Sequence, residues 1–217
     1  SNALPKNSNK VSLIQGRKLQ LSKIRFVFAG STESRKGTYK CLLDEFKVLN
    51  ISEKILIVDA VSETSIDYVF GIRKMISGLD WFRKGGGVQP FLSSTMLKNV
   101  MVLSPGLGYL NDTYFLTVDW YNRLQELDSS GYNVVLMLGD ISSIVGRVMH
   151  ESFAGLSQSL VYVHGNAVGS RTVLSNLKGI SNASKSVVCY YEFSPQMRKF
   201  YDIVSKTCEC RVLSTRG

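Results

Sequence analysis

The sequence predicts an α/β domain of three layers, with a mostly parallel twisted sheet of about seven strands and helices on both faces. Short β-branched or aromatic runs alternate with amphipathic stretches along the chain, which is the pattern of successive βα units. Runs such as Ile55-Leu56-Ile57-Val58 are apolar at every position, as strands covered on both faces require. A length of 217 residues suffices for one such domain and is too short for two with separate cores.

Residues 1–22 are polar and basic with poor periodicity, so they read as a flexible N-terminal segment ahead of a single domain, 23–217. Ser1-Asn2-Ala3 reads as the scar of a cleaved tag, which leaves room for a longer natural chain. The strand candidates are Ile24–Ala29, Ile55–Asp59, Val100–Leu103, Val134–Leu138, Leu160–His164, Val187–Tyr191 and Arg211–Leu213. Between them, three apolar stripes recur at helical spacing: Tyr39, Leu42, Leu43 and Phe46; Leu116, Trp120, Leu124 and Leu127; and Val173, Leu174 and Leu177. At Arg83-Lys84-Gly85-Gly86-Gly87 the pattern breaks, and three consecutive glycines predict a flexible loop. A phosphate cradle leads from a strand into a helix N-terminus, whereas these glycines follow a helical stretch.

The formal charge of +9 implies attraction to something anionic. The basic residues are spread over Lys6, Lys10, Arg17, Lys18, Arg73, Lys74, Arg83, Lys84, Arg198 and Lys199, without the single tract of a nucleic-acid arm, so no specific nucleic acid is expected. The four cysteines, Cys41, Cys189, Cys208 and Cys210, are scattered through a chain large enough to rely on its core, which fits a reducing cytoplasm. Cys208-x-Cys210 is no zinc site, because His150 and His164 lack ligand-like spacing to it. No apolar run reaches the roughly 20 residues that cross a bilayer, and no secretory cleavage pattern is present.

The chemistry concentrates after the first strand, in Gly30-Ser31-Thr32-Glu33-Ser34-Arg35-Lys36-Gly37-Thr38, which runs into the Tyr39 stripe. This is the place of a phosphate-binding P-loop, G-x-x-x-x-G-K-[ST], whose glycines let backbone amides curl around phosphates. Its lysine neutralises them and its hydroxyl holds Mg²⁺. Aligned on Lys36, the segment keeps Gly30 and the lysine, but has Arg35 in place of glycine and Gly37 in place of the hydroxyl. Thr38 comes one residue late, a swing of about 100° on a helix. Arg35 in a glycine-type left-handed conformation would cost about 1–2 kcal/mol, so the loop is expected to take another shape. An ordinary strand-to-helix loop with a chance lysine is the bland alternative. Asp59 closes the second strand and lies at the carboxyl edge of the sheet, where open α/β folds bind ligands; it serves equally as a cap of the next segment.

Taken in order, these segments resemble the cytoplasmic domain of bacterial tyrosine kinases of capsular and exopolysaccharide synthesis, in the superfamily of the partition and division-site ATPases. The resemblance covers nearly all of 24–193. It rests on the degenerate P-loop, the run ending in Asp59, Phe70-Gly71 followed by Gly78-Leu79, Asn99 through Gly106, Tyr132 through Met137, and Ser159 through Val163 on to Thr172. It implies a P-loop NTPase-like fold, a nucleotide between the loop and the neighbouring strand ends, and Mg²⁺ held by a hydroxyl and acids. It further implies phosphorylation of a tyrosine-rich C-terminal tail on a neighbouring subunit.

The departures fall on the chemistry. Besides Gly37, the second acid expected two residues beyond Asp59 is Val61, and the aspartate expected at the end of the strand from Asn133 aligns with Leu138, with Asp140 nearby but out of register. Tyr190, Tyr191 and Tyr201 read as packing residues rather than a tail cluster. The resulting expectation is a pseudo-kinase or pseudo-ATPase acting as a regulatory or assembly module in exopolysaccharide biosynthesis and export. Its degenerate nucleotide-binding positions are Gly30, Ser31, Arg35, Lys36, Gly37 and Thr38; the metal positions, if a metal binds, are Thr38, Asp59 and Asp140. No cofactor is expected. The alternative is an active tyrosine autokinase or ATPase with a deviant P-loop, taking ATP and Mg. The expected partner is a polysaccharide synthesis or export membrane protein, or its acidic cytoplasmic segment, at the cytoplasmic face of the inner membrane; self-association and an inner-leaflet contact are further options. A Rossmann-like dinucleotide enzyme resting on Gly106-x-Gly108 lacks the third glycine and sits off the first βα turn.

Overall fold

The computed structural model describes residues 21–32, 35–60, 65–106, 110, 112–153, 158–164, 175–176, 186–191, 202, 206 and 210–214. The strands are β1 (Ile24–Ala29), β2 (Ile55–Asp59), β3 (Ser93–Ser94), β4 (Val100–Leu103), β5 (Asn133–Asp140), β6 (Gln158–His164), β7 (Ser186–Tyr191) and β8 (Cys210–Ser214). They form one sheet in the order β3-β4-β2-β5-β1-β6-β7-β8. Every described pairing is parallel except that of β3 with β4. All the expected strands are present. β3 is an addition to them: two residues on the edge are too few for any apolar pattern.

The described helices are α1 (Arg35–Lys47), α2 (Ser65–Phe70), α3 (Leu79–Lys84), α4 (Val118–Asp128) and α5 (Ile144–Phe153). Strand residues alternate between two cores. Val27, Ile55, Ile57, Val135 and Met137 pack with Tyr39, Leu42 and Phe46 of α1 and with Ile66 and Phe70 of α2. Phe26, Phe28, Leu56, Val58 and Leu136 pack on the other side with Trp81 and Phe82 of α3, Trp120 and Leu124 of α4, and Phe153 of α5. Two buried faces explain why the central strands are apolar throughout. Among the described residues no helix is long and apolar enough to cross a membrane.

Some expectations need correction. Leu21, assigned to the tail by composition, belongs to the core, and the Ser22 and Lys23 amides donate to Asp128 Oδ1 at 3.0 and 2.7 Å. Leu116 leaves the helical stripe and is exposed, because Thr117 caps α4 by accepting a hydrogen bond from the Trp120 amide. The triple-glycine segment is a fastened turn rather than a free loop. Trp81 Nε1 donates to the Gly86 carbonyl at 2.9 Å, and the Gly86 amide donates to Glu126 Oε2 at 3.1 Å. Gly85 has φ +75°, which favours glycine, and a Cβ there would fall 1.2 Å from Arg123 Nη1 and displace that side chain. The stripe at Val173, Leu174 and Leu177 lies outside the described residues, as do Cys208 and Tyr201.

Candidate functional site

β1 and β5 lie side by side in the sheet. The chain leaves β1 for α1 on one face and leaves β5 for α5 on the other. Adjacent strands whose connections part in this way open a crevice at their carboxyl ends, the usual ligand position in open α/β sheets. The expected loop, Asp59 and Asp140 all come to this edge.

Asp140 arrives there through a bulge. Val27 pairs with Met137 but Ala29 pairs with Asp140, so β5 spends three residues where β1 spends two. Gly139, at φ +117°, stands in the irregularity. A side chain in a regular strand alternates faces, and an inserted residue reverses the alternation beyond it. Met137 packs on the α1 side; the bulge brings Asp140, three residues on, to the same side, where it meets Arg35. The strand expected to end at Leu138 therefore runs on through the bulge to Asp140. On the far side, Gly146 of α5 packs against this turn so closely that a Cβ would fall 1.8 Å from the Asp140 carbonyl oxygen.

Arg35 stands in the first turn of α1, a right-handed conformation without the left-handed cost. Its Nε donates to Asp140 Oδ2 at 2.8 Å and its Nη2 lies 2.6 Å from the same oxygen. Thr32 Oγ1 donates to Oδ2 as well, at 3.3 Å, while the Ser142 amide donates to Oδ1 at 3.0 Å and the Ser142 hydroxyl also bonds Oδ1. Burial pushes the Asp140 carboxyl up, but the Ser142 hydrogen bonds and the Arg35 charge and hydrogen bond outweigh it and hold the group below its ordinary value. No acidic residue lies in the first turn of α1, which begins with two cations. Asp140 therefore brings the negative charge that a helix N-terminus favours.

The other expected residues are divided between interior and surface. Thr38 and Asp59 are fully buried, and Ser31 and Gly37 are buried too. The Tyr39 hydroxyl donates to Asp59 Oδ1 at 2.8 Å, tying the start of α1 to the end of β2. Lys36 turns outward: its ammonium sits 5.2 Å from the centroid of the Tyr68 ring on α2. The Gly30 carbonyl accepts a long hydrogen bond from Asn176 Nδ2 at 3.4 Å. Thus Arg35 and Asp140 are brought together, whereas Lys36 is not brought to either acid. Glu33 and Ser34 of the loop, and Val61 beyond Asp59, lie outside the described residues.

A Mg²⁺-triphosphate requires near-octahedral oxygen ligation of the cation and a lysine aimed at the phosphates. Here one Asp140 oxygen is engaged by the Arg35 guanidinium and the other by Ser142, Asp59 Oδ1 accepts from Tyr39, and Lys36 lies on an aromatic ring. Among the described residues no three His, Cys, Asp or Glu side chains group as a metal site.

Sequence reasoning passed over Tyr39, Thr32, Ser142 and Asn176. Tyr39 was read as core, which it is, but a buried tyrosine seeks a partner for its hydroxyl, and Asp59 was the available acid. Asp140-Ile141-Ser142 carries the signal of an Asx turn, in which the aspartate accepts from the amide two residues on. Asn176 had no local signal.

No protein-family model matches the sequence, and no curated protein is similar to it. Solved structures are. The BceF tyrosine kinase domain has a TM-score of 0.52 at 12% identity over 75% of this chain. The kinase domain of the Escherichia coli tyrosine kinase ETK gives 0.55 at 10% identity, covering 90% of this chain and 69% of that one. A ParA-family ATPase from Chlorobium tepidum TLS gives 0.58 at 12% identity, covering 89% and 84%. The chain spans 64% of the BceF kinase domain. The α/β fold of the P-loop tyrosine kinase domains and ParA-type ATPases, expected from the resemblance, is the fold of this chain.

Proposed function

We propose that this chain is a catalytically degenerate, kinase-like domain that serves as a regulatory or assembly module in exopolysaccharide biosynthesis and export, at the cytoplasmic face of the inner membrane. The observation that carries the reading is the Arg35–Asp140 pair, an internal cation on the carboxylate that a metal would need. Lys36, turned onto Tyr68, supports it. The domain then works through its surface, toward a polysaccharide synthesis or export membrane protein or the acidic cytoplasmic segment of one. A thermal-shift titration tests the loss of nucleotide binding, since a ligand at a hundred times its dissociation constant adds about 2.7 kcal/mol of stability. Mg-ATP is expected to leave the midpoint unchanged; a clear shift that disappears in Lys36→Ala overturns the reading.

One observation favours the second reading, an active autokinase or ATPase with a deviant P-loop. The bulge that carries Asp140 to Thr32 puts an acid beside the loop. Transfer of labelled phosphate from ATP to a tyrosine, abolished by both Asp59→Ala and Asp140→Asn, would establish it.

A further inference from the structure

The described surface beside α2 joins exposed cations to exposed apolar tips. The Met96 amide donates to the Phe70 carbonyl and the Ile76 amide to Ser93 Oγ, each at 2.8 Å, so residues 70–76 run along the β3 edge. Ile72, Met75 and Leu97 turn inward onto the core under α1 and α2. Left outside are Tyr68, 78% exposed, and Met96, 52% exposed, with the exposed cations Lys36, Arg73, Lys74 and Lys98. None of these four cations forms an ion pair among the described residues. Asp67, the acid on α2, is partly buried, and burial raises its carboxyl above the ordinary value.

We propose that this face, Lys36, Tyr68, Arg73 and Lys74 together with Met96 and Lys98, is a peripheral contact for an anionic lipid surface. Lysine and arginine near an anionic leaflet are attracted to its headgroups, and a tyrosine tip settles at headgroup level with apolar groups reaching past it. The four cations are exposed on long stems, which suits a diffuse field of headgroups better than a shaped acidic site. Strand addition by a peptide is poorly served, because the β3 edge is two residues long. The inference rests on the assembly-module reading only for its cellular setting. Lipid binding and nucleotide binding are measured separately and fail separately.

The test is co-sedimentation of the full chain with vesicles of phosphatidylglycerol and phosphatidylcholine, against vesicles of phosphatidylcholine alone. Binding to the anionic vesicles only, weakening as salt rises, is expected. Arg73→Glu with Lys74→Glu is expected to lower the partition coefficient roughly thirtyfold or more. Arg83→Glu with Lys84→Glu makes the same change in net charge at the end of α3, on the opposite face of the sheet, and is expected to bind as the parent does. Tyr68→Ser is expected to weaken the part of the binding that survives high salt. Equal losses in the two double variants, no loss in the first, equal binding to phosphatidylcholine, or tighter binding to polyglutamate or duplex DNA than to vesicles would overturn the proposal. Unchanged unfolding midpoints show that the variants are folded.

Discussion

The two edges of the sheet carry the same chemical device. At the amino edge, Arg25 of β1 pairs with Glu45 of α1 at 2.9 Å, beside a cavity of about 290 Å³ lined by Lys23, Phe46, Leu49, Glu53 and Asn133. At the carboxyl edge, Arg35 of α1 pairs with Asp140 of β5 at 2.6 Å. In both cases the helix residue has the wrong sign for its end of α1, and the strand residue supplies the compensating charge. The difference lies in burial and position. The Arg25 and Glu45 side chains are 19% and 24% exposed; Arg35 is 24% exposed as well, but its partner Asp140 is only 2% exposed and sits in the crevice where open α/β sheets take ligands. An arginine–carboxylate tie braces each end of the helix; only the one at the carboxyl edge stands in the crevice.

The sharpest way to break this comparison is to delete both arginines. Arg35→Ala leaves a buried carboxylate without its cation and is expected to cost about 2–4 kcal/mol in urea unfolding. Arg25→Ala is expected to cost about 1 kcal/mol or less, as partly exposed pairs do. Equal losses would mean that position does not matter. Tyr39→Phe removes a donor from the buried Asp59 and is expected to cost about 1–3 kcal/mol by the same measurement.

Acid tests the carboxyl edge directly. Asp140 has its carboxyl held below the ordinary 3.8, so its contribution is complete above that pH and is lost as pH falls through the lower folded value. The stability gap between the parent and Asp140→Asn should therefore be constant above about pH 4 and close below it. The smallest effect is expected for Lys36→Ala, about 0.5 kcal/mol for an exposed cation–π contact. A loss as large as that of Arg35→Ala would show that Lys36 acts within the crevice after all.

Much of the fold was legible because its signals are local. The apolar runs of the central strands and the Tyr39, Leu42 and Phe46 stripe each lie within a few residues, and they fell where expected. The site was legible as a set of residues but not as a set of pairs. Asp140 was singled out, but its meeting with Arg35 was not, because the bulge at Leu138–Gly139 has no periodic signature. Glycines 85–87 suggested freedom, whereas Gly85 lies against Arg123 and Glu126 and Gly86 is tied by hydrogen bonds to Trp81 and Glu126.

By itself the sequence determined the alternation of strand and helix, the two-sided burial of the sheet, and the place of Arg35 at the start of the helix that follows the first strand. Only the tertiary structure decided what that arginine does. Its partner lies 105 residues away, and the two meet because β5 inserts beside β1 and an extra residue turns Asp140 toward α1. Periodicity reports which face a residue takes within its own element, but charge pairing across elements depends on strand order and register, which no local pattern encodes.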